Sequence, residues 1–266
     1  MCYLGTMSTE NTSKINQLLS SQPSGVVMES SWLAKRGYSP ELQKRYRKSN
    51  WLKSIGTGAM IRVGDQVSYE GAIYALQLES GSSVHPGGKT ALGLLGMSHY
   101  LEFAPQSVTV FGGKAETLPQ WFKKYDWGTK VNYYKTSFLP PHMCLTEKEF
   151  KNFSIKISNA PRALMECLYL VPEKQDLVEC FHLMESMNNV RPTLVQELLE
   201  KCESVKTKRL FLYLAEKTNH DWFKRLDLEK VDLGKGKRSI VKNGVYNSKY
   251  QITVSRELEE NDQRRI

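Results

Sequence analysis

The segment 85–92, with the sequence HPGGKTAL, contains residue types that could bind phosphate. Its Gly-Lys-Thr run matches the end of a nucleotide-binding loop, in which backbone N–H groups and the lysine hold the phosphates. Such a loop also needs a glycine five positions before Gly88 and a buried strand in front of it. Ser83 occupies that position and a Ser/Gly link precedes the segment. The sequence therefore argues against nucleotide hydrolysis and predicts a turn that opens a helix over 90–95.

A second group of residues, between positions 35 and 62, has the types that bind nucleic acid. The segment holds eight basic residues and one acid, which gives +7 of the chain's net charge of +9. Lysine and arginine neutralise DNA phosphates, and arginine, lysine and amides also read base edges. A solvated basic face on a core-packed helix is the alternative interpretation. The basic residues are Lys35, Arg36, Lys44, Arg45, Arg47, Lys48, Lys53 and Arg62.

Three short helices would position this group. Apolar residues at positions 15, 18 and 19 have helical spacing and predict the first one. A second helix is expected after Ser30 or Ser31 as N-cap, and it is stopped by Gly37. Ser39 followed by Pro40 predicts the start of a third helix, because serine caps well and proline lacks only an N–H that the first turn does not use.

The third helix is expected to have one apolar face and one polar face. At 100° per residue, Leu42 and Tyr46 lie about 40° apart and should face the core. Gln43, Lys44 and Arg47 lie about 100° to 200° from Leu42. We therefore expect these three side chains on an outward face that is basic and carries an amide.

A hairpin and a fourth helix complete this part of the chain. The run Gly56-Thr57-Gly58 lies between 51–52 and 60–63, which predicts two short strands joined by a glycine turn. Apolar residues at 69, 72, 73 and 76 predict the fourth helix. Two short helices around a glycine turn, followed by a hairpin, are typical of a winged helix-turn-helix, in which the second helix of the motif enters the major groove. The hairpin would be the wing.

The length of 266 residues fits two small domains, and 40 % apolar residues fit a folded protein. The predicted fold class is α+β. Because the link 80–83 is short and polar, a fragment that begins near Val84 is expected to fold alone. The expected parts are a flexible N-terminus over 1–12, a winged helix-turn-helix domain over 13–83, a larger mixed domain over 84–255 and a charged, frayed tail over 256–266.

Several other classes are argued against by simple patterns. The longest apolar stretches reach about six residues, against about eighteen for a bilayer span, and the N-terminus lacks a secretory pattern. We therefore expect a cytoplasmic protein without a membrane partner. The five cysteines and five histidines are scattered, with no spacing typical of metal ligands, so no metal or cofactor is expected.

The mixed domain shows no recognisable catalytic set. Glu166, Glu179 and Glu185 fall on predicted helices and are expected to face solvent, so we expect no enzymatic activity. A second basic cluster over 224–249 could contact nucleic acid or an acidic protein, or form a solvated edge, since acids interrupt it. Strands are expected over 107–111, 131–134, 153–157, 237–241 and 250–254, and helices over 161–170, 177–187, 192–202 and 205–216.

Three stretches carry a further signal. They are the run from Ser39-Pro40 to Met60-Ile61-Arg62-Val63, the segment 85–92 with His99-Tyr100, and the ending from Gly236-Lys237-Arg238 to Ile252-Thr253-Val254. Together they resemble the AbiEi-type antitoxins of type IV toxin–antitoxin systems, from about residue 12 to about 255.

This resemblance implies two activities. An N-terminal winged helix would repress its own operon by binding double-stranded promoter DNA, which we expect at repeated half-sites. A C-terminal domain would assist repression and counteract a nucleotidyltransferase-like toxin of the AbiEii type. The DNA-binding role falls on Gln43, Lys44, Arg47 and Lys48 of the third helix and on Lys53 and Arg62 of the wing. The resemblance supplies no catalytic residue.

Two other classes stay open from sequence. One is a ligand-responsive winged-helix transcription factor, whose second domain senses a small molecule. The other is a nucleic-acid-processing enzyme that uses the winged helix as a tether. A neighbouring gene for a nucleotidyltransferase-like protein would favour the antitoxin, whereas a metabolic operon would favour the sensor.

Overall fold

The computed structural model describes residues 13–97 and 107–263. The segment 1–12, which was expected to be flexible, and His99-Tyr100 lie outside these ranges. The chain forms two compact units. The N-terminal unit comprises the residues up to Ser80 together with Leu118–Trp127 and Glu149–Phe153, and the C-terminal unit comprises Gly81–Thr117, Gly128–Lys148 and the residues from Ser154 onward.

The N-terminal unit begins with a winged helix. Its three short strands form an antiparallel sheet in the order β1-β3-β2, and β2 and β3 are the wing. The expected helices and hairpin are confirmed, whereas β1 was missed because two residues are too few for an alternating pattern. The elements are α1 (Lys14–Ser21), β1 (Met28–Glu29), α2 (Ser30–Lys35), α3 (Pro40–Lys48), β2 (Leu52–Gly56), β3 (Ala59–Arg62) and α4 (Tyr69–Leu78).

Capping residues define the two helices of the helix-turn-helix. Ser39 Oγ accepts a hydrogen bond from the Leu42 N–H at 3.3 Å, as expected of the N-cap of α3. Gly37, between the helices, has φ of +84°, which favours glycine. The N-cap of α2 is Glu29, without a side-chain cap, and not one of the expected serines. The Ser30 hydroxyl is instead bonded to α3, as described below.

The core of this unit lies between the three helices and one face of the sheet. Tyr46 is buried in it, as expected, but Leu42 is only partly buried and packs against its edge. We therefore expect Leu42 to contribute less to stability than a fully buried leucine. The buried members are Ile15, Leu18, Met28, Leu33, Tyr46, Leu52 and Met60.

The C-terminal unit mixes short strands with a group of helices. The fold class is therefore α+β, as predicted, with an N-terminal winged helix and a larger mixed part. The elements are β4 (His85–Pro86), α5 (Gly88–Leu94), β5 (Ser107–Gly113), β6 (Lys130–Thr136), β7 (Leu145–Glu149), β8 (Ser154–Ser158), α7 (Ala160–Leu170), α8 (Leu177–Glu185), α9 (Pro192–Lys201), α10 (Val205–Thr218), β9 (Arg238–Ser239), β10 (Val245–Asn247), β11 (Ile252–Val254) and α11 (Arg256–Gln263).

Two three-stranded sheets and one two-stranded sheet belong to this part of the chain. β4 is antiparallel to β5, and β5 is parallel to β6 from the pair Ser107 and Lys130 to the pair Gly113 and Thr136. The second sheet has the order β10-β11-β9, and β7 pairs with β8. The expected helices and the longer strands are present, but β4, β7 and β10 were missed.

The connection between β5 and β6 contains a short helix, α6 (Gln120–Lys124). Parallel strands need such a crossover connection. The crossover segment Leu118–Trp127 belongs to the N-terminal unit, although the sequence assigned it to the domain over 84–255. A fragment that begins near Val84 would therefore carry Trp121 without Gly56, the wing residue against which Trp121 packs.

The charged tail over 256–266 was expected to fray, and this expectation is wrong for residues 256–263, which form α11. Leu258 is 2 % exposed, and the Tyr213 hydroxyl donates to Glu259 at 2.7 Å. One apolar residue and one hydrogen bond thus attach an otherwise polar helix. The tail's charge pattern gave no sign of either contact.

Candidate nucleic-acid interface

Four basic side chains of α3 lie in solvent: Lys44, Arg45, Arg47 and Lys48. The opposite side of the helix is held in the core by Tyr46, which is 7 % exposed. Within the described ranges, no ion pair neutralises any of the four. The second helix of the helix-turn-helix therefore presents unpaired positive charge, which is what a DNA phosphate backbone attracts. Arg45 was counted in the basic segment but not singled out from sequence.

Gln43 does not lie on this face, so its expected outward orientation is wrong. Its side chain is 1 % exposed. Its amide nitrogen donates to the Ser30 carbonyl at 3.0 Å and to the Tyr38 carbonyl at 2.8 Å, and its Oε1 accepts from Ser30 Oγ at 2.5 Å. A side chain about 100° from Leu42 lies at the border between the apolar and the polar face of the helix. At this border, nearby hydrogen-bond partners decide whether the side chain points inward or outward. Gln43 thus ties α3 to α2 and sets the angle of the recognition helix.

Of the two basic residues predicted on the wing, Lys53 is exposed and Arg62 is bonded inside the protein. Lys53 is exposed on β2 and available to a phosphate. Arg62 is half-buried, and its Nη2 donates to the Leu19 carbonyl at 2.6 Å and the Gln22 carbonyl at 3.0 Å. These carbonyls lie at the end of α1, where helices leave such groups unsatisfied. Arg62 therefore joins β3 to α1, and we assign it to positioning the wing.

The base of the wing also exposes apolar surface. Trp51 is 46 % exposed and Val63 is 37 % exposed, and the Val63 N–H donates to the Trp51 carbonyl at 3.0 Å. The pair lies between the end of α3 and the wing strands. The exposed surface at this end of α3 therefore combines positive charge with the indole ring of Trp51. The sequence placed Trp51 only in a strand.

The C-terminal unit contains a second polar cluster, centred on Glu166, which is 0 % exposed. Its Oε1 accepts from Arg162 Nε at 2.9 Å and lies 3.1 Å from His85 Nε2. Its Oε2 accepts from the Gly88 N–H at 2.9 Å and from Ser158 Oγ at 2.7 Å. The expectation that Glu166 faces solvent is therefore wrong, because α7 is buried along most of its length. Glu179 and Glu185 are partly exposed.

This cluster accounts for the Gly-Lys-Thr segment. The Gly88 N–H, which would face a phosphate in a nucleotide-binding loop, donates to the Glu166 carboxylate. A Cβ at Gly87 would clash with the same carboxylate oxygen, so a residue without a side chain is needed there. Lys89 pairs with Glu179 at 2.5 Å. An internal carboxylate thus occupies the place of a phosphate, in keeping with the sequence argument against nucleotide hydrolysis.

The chemistry of the cluster is that of a fixed anion. Burial by itself would raise the pKa of Glu166, but hydrogen bonds and charges from His85 and Arg162 lower it to about 2. The other ring nitrogen of His85 lies 2.6 Å from the Ser83 carbonyl, so both nitrogens face acceptors. A charged carboxylate with four partners has little capacity to exchange protons with a substrate. Among the described residues, no His, Cys, Asp or Glu group could hold a metal ion.

The second basic cluster is partly neutralised by neighbouring acids. Lys230 pairs with Asp227 at 2.9 Å and Lys224 with Asp221 at 3.5 Å. Arg209, only 2 % exposed, donates to four backbone carbonyls and so organises the loop that carries Lys235 and Lys237; the carbonyls belong to Leu233, Gly234, Gly236 and Gln251. These contacts suit a solvated edge with an ordered backbone.

No helix within the described ranges 13–97 and 107–263 is both long enough and apolar enough to cross a bilayer.

Two family models together match nearly the whole chain. The model described as "Transcriptional regulator, AbiEi antitoxin N-terminal domain" matches residues 11–103. The model described as "Transcriptional regulator, AbiEi antitoxin, Type IV TA system" matches residues 105–255. A winged helix with unpaired cations on its second motif helix, followed by a mixed unit, thus belongs to a class of transcriptional regulators. More particularly, the chain belongs to the AbiEi antitoxin family of type IV toxin–antitoxin systems, which confirms the resemblance drawn from sequence.

A solved structure shows the same fold at low sequence identity. The crystal structure of the RV2827C protein from Mycobacterium tuberculosis aligns with a TM-score of 0.57 at 14 % identity, over 94 % of this chain and 93 % of that chain. At this identity the likeness concerns the fold alone. The comparison with curated proteins gave no match.

Proposed function

We propose that this chain binds double-stranded DNA in the promoter of its own operon and represses it. In this proposal α3 enters the major groove and the wing lies on the flanking backbone. The observation that carries the proposal is the set of four exposed, unpaired cations on α3. With its side chains an α-helix is about 10–12 Å across, which suits a major groove about 12 Å wide.

The residues divide into two roles. Lys44 and Arg47 would contact base edges or phosphates from α3, and Lys48 and Lys53 would neutralise the flanking backbone. Gln43 and Arg62 would not touch DNA, because their polar groups bond to neighbouring elements. They would determine how α3 and the wing are presented.

A gel-shift titration over several salt concentrations tests this function. If two copies bind repeated half-sites and each neutralises about four phosphates, the slope of log affinity against log salt should be about −7. Arg47→Ala should cost about 1–3 kcal/mol and relax base preference, whereas Lys53→Ala should weaken all sequences evenly. Lys174→Ala, an exposed lysine of the C-terminal unit, is the control. Binding that is insensitive to salt or absent from the promoter would refute the proposal.

We further propose that the C-terminal unit counteracts a nucleotidyltransferase-like toxin of the AbiEii type. Membership of the antitoxin family supports this role, because the family model matches residues 105–255, which make up most of this unit. The full chain is the right reagent, because the crossover segment Leu118–Trp127 belongs to the N-terminal unit.

The test expresses the neighbouring toxin from an unrelated promoter, together with the full chain or its Lys44→Glu/Arg47→Glu variant. Both proteins should restore growth, although the variant should no longer bind the promoter. If the folded variant fails to protect, the antitoxin activity depends on the DNA surface and the assignment to the C-terminal unit is wrong.

A further inference from the structure

We propose that α6 is a third DNA-contacting element, which supplies Lys123 and Lys124 to the phosphates beside the wing tip. The proposal rests on the proposed DNA-binding function and extends the surface beyond the winged helix itself. It assigns a role to a crossover segment that lies about sixty residues further along the chain than the wing.

The backbone of α6 touches the wing. Gly56 is the last residue of β2, just before the turn of the wing at Thr57 and Gly58. A Cβ at Gly56 would lie 2.8 Å from Trp121 Cβ and 3.0 Å from Trp121 Cα. Such a distance leaves no room for a side chain, so Gly56 allows the helix to pack directly on the strand. α6 therefore lies beside the wing tip.

An aromatic cluster fixes α6 in this place. Trp121 and Phe122 are 4 % and 2 % exposed, and their rings lie 5.8 Å apart. The ring of Phe122 also lies 5.3 Å from that of Trp127, whose Nε1 donates to the Phe122 carbonyl at 2.8 Å. The helix is thus anchored by its aromatic side chains.

The anchored helix exposes two positive charges. Lys123 and Lys124 are exposed, two and three positions after Trp121. At a rise of about 1.5 Å per residue, the backbone of both lysines lies within about 6 Å of the backbone of Trp121, which packs on Gly56. Lys124 is a helix neighbour of Trp121, whereas Lys123 lies about 200° around the helix from it. Within the described ranges neither lysine forms an ion pair. The segment Leu118–Trp127 contains one acidic residue, Asp126.

The partner that fits these charges is the DNA backbone. With α3 in the major groove, the wing reaches the backbone that flanks the site, and the two lysines would extend that contact. Lys53 lies three residues before Gly56, about 10 Å away along β2, so this strand carries one exposed lysine and packs against the helix that carries the other two. A lysine that contacts only the backbone acts on a phosphate as a point charge, and such a contact carries no base preference. α6 should therefore add affinity and salt dependence without changing sequence specificity.

The test compares Lys123→Gln/Lys124→Gln with Lys114→Gln/Lys135→Gln, which removes the same charge from exposed sites of the C-terminal unit. Each lost phosphate contact lowers the salt slope by about 0.9, so the first variant should lose about 1.8. The ratio of wild-type to variant affinity should then fall about tenfold between about 50 and about 200 mM salt. The control variant should keep the wild-type slope.

Hydroxyl-radical footprinting gives an independent readout. The Lys123→Gln/Lys124→Gln variant should lose protection at the outer flank of the site and keep it in the major-groove half-sites. A wild-type slope and footprint for this variant, while Arg47→Ala still weakens binding, would overturn the role of α6 alone. Equal losses of salt slope and of protection in the Lys114→Gln/Lys135→Gln variant would also overturn the role of α6, because the net charge of the protein, and not the position of the lysines, would then explain them. Absence of salt-dependent binding by the wild type would instead refute the proposed function.

Discussion

Replacing Glu166 by glutamine should destabilise the C-terminal unit strongly, although the change is nearly isosteric. The carboxylate is 0 % exposed and interacts with Arg162, His85, Ser158 and the Gly88 N–H. Glutamine keeps an acceptor oxygen, but it replaces the other oxygen by an NH₂ group that faces donors. It also leaves the Arg162 guanidinium buried without its anion, with the Pro140 and Met143 carbonyls as its remaining partners.

The broken ion pair and the shifted pKa of Glu166 imply a similar loss in the free energy of unfolding. Removing one partner of a buried ion pair costs about 3–5 kcal/mol. The pKa of Glu166 is about 2 in the fold and ordinarily 4.5, and about 1.4 kcal/mol per pH unit converts this difference to about 3 kcal/mol. Because the folded-state pKa is the lower one, this stability is present above about pH 4.5 and is lost as the pH falls through about 2.

Urea unfolding followed by circular dichroism measures the effect across pH. At about pH 7, Glu166→Gln should lower the free energy of unfolding by about 3 kcal/mol. The difference from wild type should become smaller as the pH falls below about 4.5. The matched control is Glu179→Gln, at a carboxylate that is 42 % exposed and should cost less than about 1 kcal/mol. A gap that stays constant down to about pH 2, or an equal loss in the control, would refute the reasoning.

The remaining predictions concern the N-terminal unit. Gln43→Ala should cost about 1–3 kcal/mol in urea unfolding, because a buried amide loses three hydrogen bonds, and any change in DNA binding should accompany this loss of stability. Relaxed base preference without a loss of stability would show that Gln43 reads DNA. Burial raises the pKa of Glu79 to about 8; the hydrogen bond from the Glu29 N–H lowers it in part, and the charge of Glu29 raises it further. The protonated form therefore stabilises the fold below about pH 4.5, and this stability is lost as the pH rises through about 8. Glu79→Gln should gain stability over wild type between about pH 6 and about pH 9, and a pH-independent difference in urea unfolding would contradict this.

The local sequence determined the elements of the winged helix. Ser39 and Pro40 mark the start of α3, and the structure has the predicted cap and proline at these positions. The glycines at 56 and 58 mark the turn of the wing, and Gly58 has φ of +86° there. Caps, proline and tight turns depend on contacts within about four residues, so they can be read without knowing the fold. The family resemblance had the same local basis.

Only the tertiary structure decided what several polar side chains do. Gln43 turns inward because carbonyls of α2 and the following turn lie there, and Arg62 is bound by carbonyls of α1 some forty positions earlier. Glu166 is buried because residues about eighty positions earlier supply His85 and the Gly88 N–H. Helical spacing fixes the angle of a side chain on its own helix, but it does not show which groups from distant segments meet it.

The position of α6 likewise depends on a contact between distant segments that the sequence does not show. Gly56 reads as a turn residue, and Trp121 lies in a segment for which the sequence predicted no helix or strand. The two residues lie about sixty-five positions apart in sequence, and their contact forms inside the N-terminal unit, to which Leu118–Trp127 belongs. The sequence thus determined that a basic winged helix is present. The tertiary packing decided which of its cations remain free, because a charge is available to DNA only where no internal carbonyl or carboxylate has already bound it.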